Sequence, residues 1–105
     1  MKIEGGQILS QIKKIVKEQE PSAKIYLYGS RSRGSATPQS DWDLLILLNN
    51  KITHETEQSI TSPLYDLEFD TGEIISPMIY SKQEWESKYP STPFYQNIMR
   101  EGILL

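Results

Sequence analysis

The segment Trp42–Leu48 constrains the fold more than any other part of the sequence, because apolar residues occupy both of its alternating faces. A strand of this kind is covered on both sides, as in a sheet flanked by helices. The segment Lys24–Tyr28 is rich in β-forming residues and ends at Gly29, which predicts a second strand. The two segments therefore predict an α/β fold in which a glycine-containing loop joins two strands of one sheet.

Further helices and strands are predicted around this pair. Between Gln7 and Glu18 apolar residues recur at three- and four-residue steps, which indicates an amphipathic helix. The segment Lys51–Ser62 has a weak, polar pattern that fits either a short helix or an irregular crossover. Apolar and acidic residues alternate over Leu64–Asp70, which predicts a strand. A Thr71–Gly72 turn would then pair it antiparallel with another strand over Glu73–Tyr80.

Two helix starts and one helix end can be assigned near the C-terminus. Ser81 and Glu84 match a capping box, in which the serine side chain accepts from a backbone N–H of the first turn. Thr92 and Pro93 match an N-cap followed by a first helical residue, and Gly102 matches a helix end. The length of 105 residues and the lack of a linker or internal repeat predict that residues 1–105 form a single domain.

Composition limits the classes of function. The 14 acidic and 11 basic residues give a net charge of −3, so the chain lacks the positive field of a duplex-binding protein, which argues against a nucleic-acid partner. The chain has no cysteine, which excludes disulfides and thiolate metal sites. The longest apolar run, Leu44–Leu48, is too short to cross a bilayer, and the N-terminus has no apolar leader. We expect a soluble, cytoplasmic protein without a membrane partner.

The loop after the first predicted strand suits a phosphate group. Gly29 has no Cβ and allows close approach to the backbone, and Ser30 adds a hydroxyl donor. Arg31 and Arg33 can add charge-assisted hydrogen bonds, so we expect them to face phosphate or the acceptor.

Two carboxylates stand at the start of the next strand. Asp41 and Asp43 are two residues apart, so in a strand both side chains point to one face and can bind the same Mg²⁺. A triphosphate on the loop and Mg²⁺ on the aspartates would bring metal to the α-phosphate, which is the arrangement for nucleotidyl transfer. The alternative is an ordinary Gly-Ser turn and a plain strand start. The position of the turn after one strand, and of the acids at the start of the next, favours the functional interpretation.

These motifs resemble those of the DNA polymerase β nucleotidyltransferase superfamily, most closely its minimal members. The resemblance lies in Gly29-Ser30, in Arg31-x-Arg33-Gly34, and in the segment Ser40-Asp41-Trp42-Asp43-Leu44. It implies a polymerase β-like fold, with a mixed, mostly antiparallel sheet flanked by helices. It also implies Mg²⁺ held by Asp41 and Asp43, ATP as substrate, and nucleotide binding by the Gly29–Arg33 loop and Ser40.

The resemblance also implies a partner. Minimal members are often encoded beside a helical protein of the HEPN class and act as its antitoxin, either by transferring AMP to it or by binding it. The leading hypothesis is therefore a Mg²⁺-dependent transferase that moves AMP from ATP to a protein hydroxyl. A second is a weak or inactive relative that neutralises the partner by complex formation. A third, a small-molecule transferase of the aminoglycoside-modifying kind, normally brings a helical domain that this chain lacks.

One departure bears on activity. The superfamily usually has a third carboxylate on a strand after the aspartate pair, but the segment Ile74–Tyr80 of the predicted strand contains no acid. On the preceding predicted strand, Asp66, Glu68 and Asp70 would share one face. Glu68 or Asp66 could then act as the third catalytic carboxylate if that strand is a direct neighbour of the pair. The alternative is the solvated face of an edge strand.

Overall fold

The computed structural model describes residues 5–105. This part of the chain forms five helices and four strands, in the order α1 (Gly5–Gln19), β1 (Lys24–Tyr28), α2 (Ser30–Arg33), β2 (Trp42–Leu48), α3 (His54–Thr71), β3 (Ile75–Ser81), α4 (Lys82–Lys88), α5 (Pro93–Glu101) and β4 (Ile103–Leu104). Among these described helices, none is both long enough and apolar enough to cross a membrane.

The four strands form one sheet in the order β3-β2-β1-β4. Strand β1 pairs antiparallel with β2 and with β4, whereas β2 pairs parallel with β3. The expected mixed, mostly antiparallel sheet flanked by helices is confirmed.

Strand β2 is buried on both faces, as its sequence predicts. On one face Leu44, Ile46 and Leu48 pack in the same cluster as the apolar sides of α1 and α3. On the other face Leu45 and Leu47 pack with Trp85 of α4 and Ile98 of α5, in a cluster rich in aromatic rings. Burial of this much apolar surface on both faces is the main term that stabilises a small α/β fold.

The prediction of a strand over Leu64–Asp70 is wrong, because this segment is the second half of helix α3. The buried residues of α3 are Ile60, Leu64 and Leu67, whose steps of four and three residues match a helix. The Thr53 side chain caps the helix start and Gly72, with φ +76°, ends it in the left-handed conformation. The weakly patterned segment Lys51–Ser62 therefore holds the first half of a long helix.

The predicted antiparallel pair is also wrong, since α3 replaces one of its two strands. The predicted strand over Glu73–Tyr80 exists as β3, but it pairs parallel with β2. A parallel neighbour requires a crossover connection, and the 18 residues of α3 supply it.

The predicted caps are confirmed. The Ser81 hydroxyl oxygen accepts a hydrogen bond from the Glu84 backbone N–H at 3.1 Å, and the Thr92 hydroxyl oxygen accepts one from the Tyr95 N–H at 3.1 Å. Gly102 caps the end of α5 through a bond from its N–H to the Ile98 carbonyl.

Candidate active site

Gly29 and Asp43 are packed directly against each other. In the β1–β2 register Tyr28 lies opposite Asp43, so the loop that follows β1 begins beside this carboxylate. Gly29 has φ +75° and ψ −156°, a combination that is essentially restricted to glycine. A Cβ on Gly29 would overlap Asp43 Oδ2 and lie 3.3 Å from Asp43 Cγ. The glycine is thus required twice, by its backbone angles and by the carboxylate against it.

Asp41 and Asp43 form a pair of like charges at the start of β2. Asp41 is exposed and Asp43 is half-buried. Burial raises the pKa of the Asp43 carboxyl, and the nearby Asp41 carboxylate raises that pKa further, whereas the Arg33 guanidinium lowers it. Two carboxylates this close repel each other, so the pair favours a bound cation.

The aspartate pair fits Mg²⁺. Mg²⁺ takes oxygen ligands and is commonly held by one or two carboxylates together with substrate phosphates and water. Within residues 5–105, no group of three or more His, Cys, Asp or Glu side chains is gathered for a metal. A Mg²⁺ ion on Asp41 and Asp43 would therefore draw its other ligands from the triphosphate and from water.

Ser76 occupies the position on β3 nearest to the aspartate pair. The parallel β2–β3 register places Ser76 opposite Asp43, and the Ser76 hydroxyl donates to Asp41 Oδ2 at 3.4 Å. A carboxylate supplied by the strand after the pair would stand here. The sequence has a weak donor at this place instead of an acid.

Glu68 and Asp66 lie on helix α3, so the expectation that they share a strand face beside the aspartate pair is wrong. Within residues 5–105 they belong to no group of three or more His, Cys, Asp or Glu side chains suited to a metal. Glu68 Oε2 accepts a hydrogen bond from the Ile75 backbone N–H at 2.7 Å, which holds the end of α3 to the start of β3. Asp66 is exposed on the helix surface.

Arg31 is bound to protein groups on several sides. Its Nη2 donates to the Ser40 carbonyl at 2.8 Å and lies 3.6 Å from Glu73 Oε2. The guanidinium carbon is 4.0 Å from the centre of the Trp42 ring, and Trp42 Nε1 donates to the same Glu73 oxygen at 3.1 Å. These contacts tie the Gly34–Ser40 loop to the start of β2. Arg31 therefore braces the segment that carries Asp41.

Ser40 has a similar role within the loop. Besides the carbonyl bond to Arg31, its hydroxyl oxygen accepts from the Thr37 backbone N–H at 2.8 Å. These bonds fix the turn immediately before Asp41, so Ser40 supports the aspartates through the backbone.

Ser30 and Arg33 are the first and last residues of the short helix α2, which follows Gly29. The Arg33 side chain is half exposed, and its Nη1 lies 3.4 Å from Glu101 Oε2. A pair this exposed contributes little stability, so an anion can compete for the guanidinium at small cost. Ser30 is the first residue of α2 and is half-buried directly after Gly29.

A cleft of about 270 Å³ opens next to Gly29. Its walls come from Tyr28, Gly29 and Arg33 on one side, and from helix α5, including Phe94 and Asn97, on the other. The Tyr28 and Phe94 rings meet edge to face, with centroids 5.5 Å apart. Burial, followed by the charges of Asp43 and Tyr80, raises the pKa of Tyr28 to about 12, so this hydroxyl stays protonated at neutral pH.

Sequence reasoning missed the part of α5 in this cleft. Phe94, Asn97 and Glu101 are three and four residues apart and so lie on one face of the helix, next to the loop. The mixture of aromatic, amide and charged groups on one helical face was the signal available in the sequence.

A family model for the nucleotidyltransferase domain matches residues 9–104, which is nearly the whole chain. The chain belongs to this family. The nucleotidyltransferase domain is also 38% identical over 61 residues to "Putative protein adenylyltransferase MJ0141" of Methanocaldococcus jannaschii. That match spans 56% of this chain and 60% of the relative.

Solved structures share the fold of this nucleotidyltransferase domain. One is a crystal structure described as a "toxin-antitoxin with AMP-PNP", with a TM-score of 0.64 and 21% identity. Another is a mutant of the "toxin-antitoxin MntA-HpeT", with a TM-score of 0.63 and 18% identity. Each similarity covers 90% of this chain and 69% of the other chain.

Proposed function

We propose that residues 1–105 form a minimal nucleotidyltransferase domain that transfers AMP from ATP to a hydroxyl group of a partner protein, with Mg²⁺ required. The observation that carries this proposal is the contact between Gly29 and Asp43, because it joins the candidate phosphate loop to the candidate metal ligands. A triphosphate on the loop would then have its α-phosphate beside both aspartates.

Different residues would bind the phosphates, the metal ion and the nucleoside. The backbone after Gly29, the Ser30 hydroxyl and the Arg33 guanidinium would bind the phosphates. Asp41 and Asp43 would hold Mg²⁺, which when bound neutralises charge that develops on the phosphate oxygens. The cleft between Tyr28 and α5 adjoins the loop and would take the nucleoside.

The transfer exchanges one phosphorus–oxygen bond for another. The acceptor hydroxyl oxygen attacks the α-phosphorus of ATP, the bond to the bridging oxygen breaks, and pyrophosphate leaves. The hydroxyl proton passes to water. The chain's contribution is to orient the triphosphate against the acceptor and to stabilise negative charge with Arg33 and Ser30.

A protein acceptor is favoured by the likeness to a relative that is named a protein adenylyltransferase. An antitoxin role is favoured by the fold shared with proteins described as toxin-antitoxin complexes, one of them with AMP-PNP. We therefore propose a helical partner of the HEPN class, for which this chain acts as the antitoxin.

Label transfer tests the proposal. The chain is incubated with α-labelled ATP, Mg²⁺ and the protein encoded next to it, and the label is followed on a denaturing gel. Wild type should label the partner, and the Asp41→Asn/Asp43→Asn double variant should not. The matched control is Glu55→Gln/Glu57→Gln, which removes two exposed charges at the start of α3 and should leave labelling unchanged. Equal labelling by the aspartate variant and wild type would refute the proposal.

A second function, neutralisation by complex formation alone, is favoured by Ser76. The place opposite Asp43 holds a hydroxyl where a third carboxylate would help ligate metal or accept the proton. Under this alternative, the double aspartate variant still binds and neutralises the partner, and no label is transferred by wild type. Loss of neutralisation in that variant, with its fold intact, would exclude the alternative.

A further inference from the structure

The end of helix α3 and the residues that follow it carry an exposed apolar surface. The Phe69 side chain is 91% exposed, and Tyr65 and Ile74 are 53% and 52% exposed. Tyr65 and Phe69 are one helical turn apart and lie on the same side of α3. A shallow groove is lined by these three residues together with Glu68, Gly72 and Glu73. Water-exposed aromatic groups in such a cluster are typical of an interaction surface.

The surroundings of this groove are strongly acidic. Residues 52–81 contain six of the 14 acidic residues of the chain, and all 11 Lys and Arg residues lie outside that segment. Four of the six acids, Asp66, Glu68, Asp70 and Glu73, stand within this stretch of α3 and the turn after it. Asp66 and Asp70 are exposed, whereas Glu73 is paired with Arg31. The groove therefore lies in an acidic part of the surface, in a chain whose remaining part carries an excess of basic residues.

The charge distribution indicates which kind of partner can bind in the groove. A second copy docked through the same groove would bring two acidic surfaces together, which is unfavourable. A partner whose apolar side chains are flanked by Lys or Arg would gain both the burial of the aromatic groups and complementary charge. We propose that Tyr65, Phe69 and Ile74 form the docking surface for a protein partner with a basic, apolar face.

The surface lies at the end of the sheet that carries the aspartate pair. The Ile74 carbonyl accepts from the Trp42 N–H at 2.8 Å, between Asp41 and Asp43 in sequence. Glu73 is held by Trp42 and Arg31, the residues that brace the Asp41 loop. A partner docked on the groove is thus anchored next to the site. The partner's role as acceptor or toxin rests on the proposed function, whereas its binding to this surface does not.

A pair of synthetic peptides tests the surface. Both are amphipathic helices with leucine on one face, and the other face is lysine in one peptide and glutamate in the other. The lysine peptide should bind wild type about tenfold more tightly than the glutamate peptide, and added salt should weaken it. Phe69→Ser should weaken the lysine peptide by about fivefold or more. The control Met99→Ser, at a half-exposed apolar position on α5, should bind as wild type does.

Equal affinity of wild type for the two peptides, or equal affinity of Phe69→Ser and wild type for the lysine peptide, would overturn the proposal. Sedimentation that shows a wild-type dimer, lost in Phe69→Ser, would assign the surface to a second copy and also overturn it. Mg²⁺-dependent ATP binding, followed by thermal shift, should be unchanged in Phe69→Ser. Failure of the docking surface can therefore be distinguished from failure of the proposed transfer.

Discussion

Replacing Gly29 by alanine should weaken nucleotide binding as well as destabilise the fold. Its backbone angles, φ +75° and ψ −156°, belong to a region that costs other residues about 1–3 kcal/mol. The new methyl group would also overlap Asp43 Oδ2. Because Gly29 belongs to the backbone of the phosphate loop, either this loop or the carboxylate must move by roughly 1 Å to restore normal contact distances.

The expected loss of binding follows from that displacement. A hydrogen bond to a charged group contributes about 1.5–3 kcal/mol, so loss of one such bond between the loop and a phosphate raises the Kd by up to about 100-fold. At an ATP concentration about 100 times the wild-type Kd, bound ligand stabilises the folded protein by about 2.7 kcal/mol. With a Kd raised about 100-fold, the same concentration would stabilise the variant by only about 0.4 kcal/mol.

Thermal unfolding with and without Mg²⁺ and ATP measures both effects in one experiment. Gly72→Ala is the matched control, since Gly72 also has positive φ, +76°, but its added Cβ would meet nothing within 4 Å. Gly72→Ala should lose about 1–2 kcal/mol of stability and keep the full stabilisation by ATP. The reasoning is refuted if Gly29→Ala keeps the full ligand-induced stabilisation, or if Gly72→Ala loses as much of it.

Three further substitutions have defined outcomes. Burial and Asp41 raise the pKa of Asp43, so its ionised form opposes folding at neutral pH. Asp43→Asn should therefore raise the Tm of the free protein and abolish the increase in Tm caused by Mg²⁺. A lowered Tm of the free variant would contradict this. Tyr28 has a folded pKa of about 12, above its ordinary value, so its contribution to stability is complete below pH 10 and falls as the pH rises towards 12. Tyr28→Phe should reduce this loss of stability between pH 10 and pH 12, measured as the free energy of unfolding in urea. An unchanged pH dependence would show that Tyr28 is not its source. Ser76→Asp should tighten Mg²⁺ binding by about tenfold in calorimetry, whereas Ser76→Asn should not; equal effects would show that charge at this position does not matter.

The sheet was largely predictable because its two central strands have clear signals. The segment Trp42–Leu48 alternates two apolar faces, and both faces are covered. Helix α3 was not predictable by the same criterion, since Tyr65 and Phe69, which produce the alternation with Leu67, are exposed. The helical step between Ile60, Leu64 and Leu67 was present but was masked by those two aromatic residues. Two exposed aromatic residues of a helix thus gave the alternating sequence pattern that is typical of a strand.

Within the candidate site, local spacing predicted local geometry and little more. The contact of Gly29 with Asp43 follows from the antiparallel pairing of β1 with β2, which places Tyr28 opposite Asp43. The environments of Arg31 and Glu68 depend on where the end of α3 returns to the sheet, because Arg31 meets Glu73 there and Glu68 meets the Ile75 N–H. Neither contact can be assigned before the path of the crossover is known.

Strand β2 has an antiparallel neighbour on one side and a parallel neighbour on the other. At the end where Asp43 lies, it therefore meets the finish of β1 and the beginning of β3. The groups that would bind the phosphates come from residues 29–33, whereas the position that would complete the carboxylate set, Ser76, lies on β3, beyond α3. Under the proposed function, phosphate binding and catalytic rate would depend on different parts of the chain, so a substitution at Ser76 would alter the rate and leave phosphate binding intact. Related chains could therefore differ in catalytic activity at this position and keep the same fold.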